Sequence, residues 1–127
     1  MYSTNEFEET RQRLKENPPS RKNLKKYIKE KDKFELEGYF KDLNGFKLTK
    51  ALFAHIRRKL QMMNYFKTGE LAFEPKKYVN DLDLSDKERK EFELICEDYS
   101  DRKPLSNKKI RNYLELAKQL TNKIMEN

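Results

Sequence analysis

Residues 45–69 read GFKLTKALFAHIRRKLQMMNYFKTG, and this stretch decides the expected fold. Apolar side chains recur along it every three or four residues: Leu48, Leu52, Ile56, Leu60, Met63 and Phe66. That spacing places them along one side of an α-helix, where they can bury against other helices. The stretch therefore predicts a long helix with one face in the core.

The same stretch carries six Lys or Arg residues and no Asp or Glu. A helix surface that is only solvated usually mixes both signs, because opposite charges one turn apart stabilise it. Most of the polar side chains fall opposite the apolar stripe and predict a basic face: Lys47, Lys50, Arg57, Arg58 and Gln61. Lys59 falls on the apolar side, so we expect its chain to extend towards solvent.

Helix starts on both sides of this stretch are marked by capping residues. Ser3 with Glu6, and Ser85 with Glu88, fit capping boxes, in which each side chain bonds the other residue's backbone N–H. Single N-terminal caps are expected at Ser20, Thr49 and Ser106.

Helix ends are marked by proline and glycine. The prolines of NPPS at 17–20 stop the first helix, because proline cannot donate a backbone hydrogen bond. Gly38 is expected to interrupt the second helix. The segment DLNG at 42–45 should end it, with Asn44 or Gly45 in the left-handed conformation.

The chain's length of 127 residues predicts one helical domain over 1–127, with an N-terminal helix and linker at 1–20 and the main body at 21–127. Three Gly and four Pro leave few turns for a many-stranded sheet. We therefore expect an all-α fold, a compact bundle of about five helices. Residues 68–80 are the exception and predict a short irregular or strand segment.

Catalysis has few candidate residues. His55 is the chain's one histidine, lies at the edge of the apolar stripe, and is expected to be a packing or surface residue without a chemical partner. Cys96 is the one cysteine and is expected to be a small apolar core residue in a reducing compartment. No phosphate-binding glycine loop or calcium loop occurs in the sequence. We expect a cytoplasmic, non-enzymatic protein without membrane span, cofactor or metal.

The charge pattern points to a binding role. Residues 44–69 hold six cations and no acid, and residues 102–123 hold seven cations and one acid. Cations on helix faces neutralise phosphates and release counterions, so DNA or RNA is the expected partner. The helix, turn and basic helix also follow the order of a helix-turn-helix, as in a phage or mobile-element regulator. The predicted contact residues are Lys25, Lys26, Lys47, Lys50, Arg57, Arg58, Gln61, Lys108 and Arg111. Tyr65 and Tyr78 are the only aromatic residues that we consider as candidates for stacking on bases.

The acidic segment favours an alternative. Residues 70–101 hold eleven acids and five cations, so the protein could instead be an adaptor, an inhibitor or a helical subunit that docks a protein through 81–101. The segment LSNKKIRNYLELAKQL at 105–120 resembles the helix-start segment of the small helical subunits of type III CRISPR effector complexes. In that family long helices follow the segment, whereas here seven residues follow it, so no residue role is transferred.

Overall fold

The computed structural model describes residues 4–72 and 74–126, and of Thr4 and Leu14 it describes the backbone only. In these ranges the chain forms five α-helices and no strand, which confirms the all-α prediction. The helices are α1 Thr4–Glu16, α2 Arg21–Glu37, α3 Gly45–Thr68, α4 Asp86–Ser100 and α5 Asn107–Glu126. Short 3₁₀ helices lie at Tyr39–Asp42, Pro75–Lys77 and Val79–Asp81.

Most of the predicted helix starts are confirmed. Ser20 accepts a hydrogen bond from the Asn23 N–H, and Ser106 accepts one from the Lys109 N–H. Ser85 and Glu88 form both bonds of a capping box. Satisfying these otherwise unpaired N–H groups stabilises each helix start by roughly 1 kcal/mol. The predicted cap Ser3 lies outside the described residues.

The start of α3 differs from its prediction. The helix begins five residues earlier than the Thr49 cap implies, with Asn44 at the capping position. Thr49 is fully buried, and its hydroxyl donates to the Lys103 carbonyl at 2.6 Å, so it joins α3 to the chain before α5. Gly45 does have a left-handed φ of 59°, but it opens α3. The second helix ends earlier, at Glu37 before Gly38.

Helix α3 is the centre of the bundle. Its apolar stripe is buried as predicted, including Leu52, Ile56 and Leu60, and it packs on α4 and α5. Side-chain hydrogen bonds join it to α2. α2 runs antiparallel to α3, because Glu35 meets His55 and Arg21 meets the Phe66 carbonyl. The acid-free stretch is therefore the helix on which the other helices pack.

The other core faces come from α4, α5 and the segment between α3 and α4. Phe92, Ile95 and Cys96 of α4 are buried. Helix α5 buries Tyr113, Leu116, Ala117, Leu120 and Ile124. Burying apolar area of this kind is the main favourable term in folding.

The segment 68–80 is irregular rather than a strand. Among its described residues the chain passes Gly69, which has a left-handed φ of 75°, and then forms the two 3₁₀ turns at 75–77 and 79–81. Tyr78 and Val79 are buried in the core, as are Leu82 and Leu84 beyond the turns. The segment thus closes one side of the bundle. In the described part of the chain, no helix combines the length and the apolar character that crossing a membrane requires.

Candidate nucleic-acid interface

The solvent side of α3 carries the centre of the predicted basic face. Lys47 and Lys50 are exposed, and within the described ranges neither forms an ion pair. Arg57 is half-buried, and its guanidinium carbon lies 5.7 Å from the centre of the Phe53 ring. This cation–π contact holds the charge close to the aromatic side chain. One and two turns of helix separate the three cations, so they form a short charged row.

Aromatic side chains that the sequence reading missed lie beside this row. The Tyr99 ring from α4 stacks on Phe53 with ring centres 4.3 Å apart and on Phe46 with ring centres 6.0 Å apart. All three rings are half-buried. The sequence could have indicated two of them, because Phe46 and Phe53 lie three or four residues from Lys50 or Arg57 and so on the same side of the helix. The contribution of Tyr99 depends on how α4 packs against α3.

Several of these residues line a surface groove of about 420 Å³, here called the α3 groove, whereas Lys47 and Phe46 lie outside its lining. Its lining includes Tyr27, Lys50, Phe53, Arg57, Gln61 and Tyr99. Among the described residues of this lining, Glu6 of α1 supplies the one carboxylate, and Arg58 lies at the edge towards α2. The groove therefore combines positive charge with aromatic surface.

Arg58 has a partner that the sequence did not reveal. Its Nη2 donates to both oxygens of Glu35 on α2, at 2.5 and 2.8 Å. The side chain is still 40% exposed. Glu35 lies 23 residues away in the chain, so the pairing depends on the antiparallel contact of α2 and α3. Arg58 is thus partly neutralised, whereas Lys47 and Lys50 are not.

Behind the basic row lies a buried polar cluster centred on His55. The imidazole is 2% exposed; Nδ1 lies 2.5 Å from Glu35 Oε2, and Nε2 lies 3.4 Å from Asp32 Oδ1. The Phe40 ring packs edge-on against it at 5.5 Å. The expectation that His55 has no chemical partner is therefore wrong. A carboxylate accepts but does not donate, so in this hydrogen bond the Nδ1–H group donates to Glu35 Oε2.

The expectation for Lys59 is also wrong. Its chain does not extend to solvent: it is buried, and Nζ lies 2.8 Å from Asp32 Oδ1 and donates to the Ala117 carbonyl at 2.9 Å. Thr121 of α5 donates to Asp32 as well. Burial alone would raise the pKa of Asp32, but hydrogen bonds from His55, Lys59 and Thr121 lower it to about 2. Asp32 is therefore a stable anion that joins three helices.

The remaining predicted cations do not all gather at one place. Lys108 and Arg111 are exposed at the start of α5, at the same end of the bundle as Lys47, because Thr49 bonds Lys103 just before α5. Lys25 and Lys26 lie at the other end. There Lys25 donates to the Met125 carbonyl at the end of α5. The nine predicted residues therefore do not share one surface: Lys108 and Arg111 lie at the Lys47 end of the bundle, and Lys25 and Lys26 lie at the other end.

The acidic segment is partly used inside the bundle. Asp98 is buried and accepts hydrogen bonds from Lys109 and from the Tyr113 hydroxyl, each at 2.9 Å. Glu88 pairs with Lys123 at 2.9 Å and caps α4. These two carboxylates hold α4 against α5. Exposed acids remain on α4, among them Glu93 and Glu97.

The two tyrosines proposed for stacking are differently placed. Tyr78 is buried in the core, so its ring is not available to a base. Tyr65 is half-buried and lines a cavity between α1, α2 and α3.

Comparison with known proteins gives no match among family models, curated proteins or solved structures. A functional proposal for this chain therefore depends on the chemistry of its own surface.

Proposed function

We propose that this protein binds nucleic acid, without catalysing a reaction, through the α3 groove and the basic row beside it. The observation that carries the proposal is the row Lys47, Lys50 and Arg57. It lies on the solvent side of a helix whose sequence contains no acid, next to half-buried aromatic rings. A solvated surface has no need of this separation of charge.

The chemistry of the row suits a phosphate backbone. An unpaired ammonium can replace the counterion of a phosphate, and releasing that counterion favours binding at low salt. Arg57 can donate two parallel hydrogen bonds to a phosphate or to a base edge. The aromatic edges of Phe53 and Tyr99 offer contact to sugars or bases beyond the charged row.

α2, a 3₁₀ turn and α3 follow the order of a helix-turn-helix, but α2 runs antiparallel to α3, whereas the two helices of that motif cross at about 90–120°. The proposal therefore depends on the free surface of α3 and not on that motif. α3 is buried on several sides, and its free surface is the strip from Lys47 to Gln61. The nucleic acid would therefore lie along this strip. Lys108 and Arg111 at the same end of the bundle extend the positive potential.

The experiment is a titration of fluorescent duplex DNA, single-stranded DNA and RNA oligonucleotides, followed by anisotropy at several salt concentrations. Replacing Lys47, Lys50 and Arg57 together by glutamine should weaken binding by at least about tenfold and reduce the slope against log salt by about two to three, roughly one for each lost phosphate contact. The matched control replaces three other exposed lysines, Lys87, Lys90 and Lys118, by glutamine. It changes the net charge equally and should keep affinity within about threefold.

Two results would contradict the proposal. One is the absence of binding at low salt by a folded protein. The other is an equal loss in both triple variants, since that would indicate attraction to overall charge alone. Glu97→Gln with Asp101→Asn should leave affinity unchanged or slightly raise it. Asp98 is unsuitable for this control because it is buried under Lys109.

The alternative function is docking to a protein through residues 81–101. Its support is the exposed outer side of α4, where Glu93 and Glu97 flank Leu94, a leucine with 38% of its surface exposed. A charged surface around an apolar side chain suits a polar-rimmed interface. Failure of the nucleic-acid titration with a folded protein would favour this alternative.

A further inference from the structure

A second cavity lies between α1, α2 and α3 and has a volume of about 340 Å³. It meets the α3 groove at Tyr27, Arg58 and Gln61, which line both. That volume is within the range of about 300–1,000 Å³ typical of small-molecule sites. Its walls are largely apolar and include Phe7, Leu24, Ile28, Met62, Tyr65 and Leu71. Phe7 and Ile28 are buried, so the cavity extends into the bundle.

The opening of the cavity is cationic. Of its lining residues, Tyr27 is 44% exposed and Arg58 is 40% exposed, so these two mark the side that meets solvent. Lys31 lines the same side, and its Nζ lies 5.9 Å from the centre of the Tyr27 ring. Only one nitrogen of Arg58, Nη2, donates to Glu35 among the described residues. The opening thus offers an ammonium and the rest of a guanidinium.

The interior of the cavity is unfavourable for a charged group of either sign. Asp32 lines it as an anion, but Lys59, Thr121 and His55 already surround that carboxylate. A negative group placed deep in the cavity would meet Asp32, and a positive group would meet Lys59. A charged head therefore belongs at the opening, and an apolar body belongs inside.

We infer that this cavity binds a small anionic amphiphile, an aromatic or aliphatic carboxylate or sulfonate whose apolar body fills the space between α1, α2 and α3 and whose head pairs with Lys31 and Arg58. The inference is independent of nucleic-acid binding. It joins the two features that such a ligand needs: an apolar cavity of sufficient volume and, at its entrance, the Lys31 ammonium with the guanidinium nitrogens of Arg58 that do not bond Glu35.

Three probes of one shape test the inference. They are 2-naphthoate, its neutral analogue 2-naphthamide, and the cationic 2-naphthylmethylammonium, each titrated by ligand-observed NMR with the full chain. Hydrogen bonds between two charged groups are stronger than those to a neutral group, so naphthoate should bind at least about tenfold more tightly than the amide. The ammonium compound should bind most weakly.

Variants locate the site. Lys31→Gln should reduce the preference for naphthoate over naphthamide by about threefold or more. Lys33→Gln, an exposed neighbour on α2 outside the cavity lining, should leave it unchanged. Leu24→Trp should fill the cavity and abolish binding of both probes, with far-UV circular dichroism showing that the helices persist.

Several outcomes would overturn the inference. Equal affinity for naphthoate and naphthamide would show that the cavity does not prefer an anionic head. The absence of saturable binding up to about 1 mM would show that the cavity does not bind such ligands. Unchanged binding by a folded Leu24→Trp protein would place the ligand elsewhere. If that variant does not fold, amide chemical shifts of the wild type decide. Naphthoate must then shift residues 24–32 and 58–65 more than α4, and the reverse pattern refutes the site.

Discussion

Replacing Lys59 by methionine tests the buried cluster directly. Lys59 is about 1% exposed, and its Nζ lies 2.8 Å from Asp32 Oδ1 and 2.9 Å from the Ala117 carbonyl. Removing one partner of a buried ion pair costs about 3–5 kcal/mol, because the other charge is left uncompensated. Asp32 keeps the hydrogen bond from Thr121, so we expect the lower end, about 3 kcal/mol. Methionine has a similar shape, which keeps the steric cost small.

Urea unfolding at neutral pH, followed by far-UV circular dichroism, measures this loss. With a slope of about 1–3 kcal/mol per molar urea, the midpoint should fall by roughly 1–3 M. Lys47→Met is the matched control, because it makes the same change at an exposed position of the same helix. Its effect should stay within about 0.5 kcal/mol.

A double-mutant cycle with Asp32→Asn separates the ion pair from general packing. The double variant leaves no unpaired charge, so its cost should be at least about 2 kcal/mol less than the sum of the single variants. A Lys59→Met loss below about 1 kcal/mol, or single effects that add within about 0.5 kcal/mol, would refute the reasoning.

Three further predictions concern the core, the pH dependence of stability at acid pH, and the cysteine. Ile56→Ala should cost about 2–5 kcal/mol in urea unfolding because Ile56 is fully buried, whereas Leu114→Ala, at a half-buried site, should cost less; equal losses would contradict this burial pattern. The pKa of the Asp32 carboxyl is about 2 in the folded protein and roughly 4 in the unfolded chain. Its contribution of about 2 kcal/mol to the free energy of unfolding is therefore present above pH 4 and lost as the pH falls towards 2. Asp32→Asn should flatten the stability curve between these limits, and an unchanged slope would argue against the shift. Burial raises the pKa of Cys96 to about 11, so iodoacetamide at pH 8 should label the native protein at least tenfold more slowly than the urea-unfolded chain, and equal rates would show an accessible thiol.

Much of the fold was predictable from local pattern. The apolar spacing of 45–69 identifies a core helix, and Ser20, Ser85 and Ser106 mark helix starts, because these signals depend on residues within one or two turns. The start of α3 was not predictable in this way, since Thr49 has the chemistry of a cap but is bonded to Lys103 across the bundle.

The sequence by itself determined that this chain forms helices with apolar stripes and that one of those helices carries cations without acids. Only the tertiary structure decided which cations remain available. Asp32 from α2 pairs with the buried Lys59, and Glu35 from α2 partly neutralises the half-exposed Arg58, while Lys47 and Lys50 stay exposed. The bond from Thr121 to Asp32 spans 89 residues and that from Lys59 to Ala117 spans 58. The physical reason is that helical periodicity assigns each side chain to a face, whereas the partner of that face depends on how the helices cross and in which direction they run.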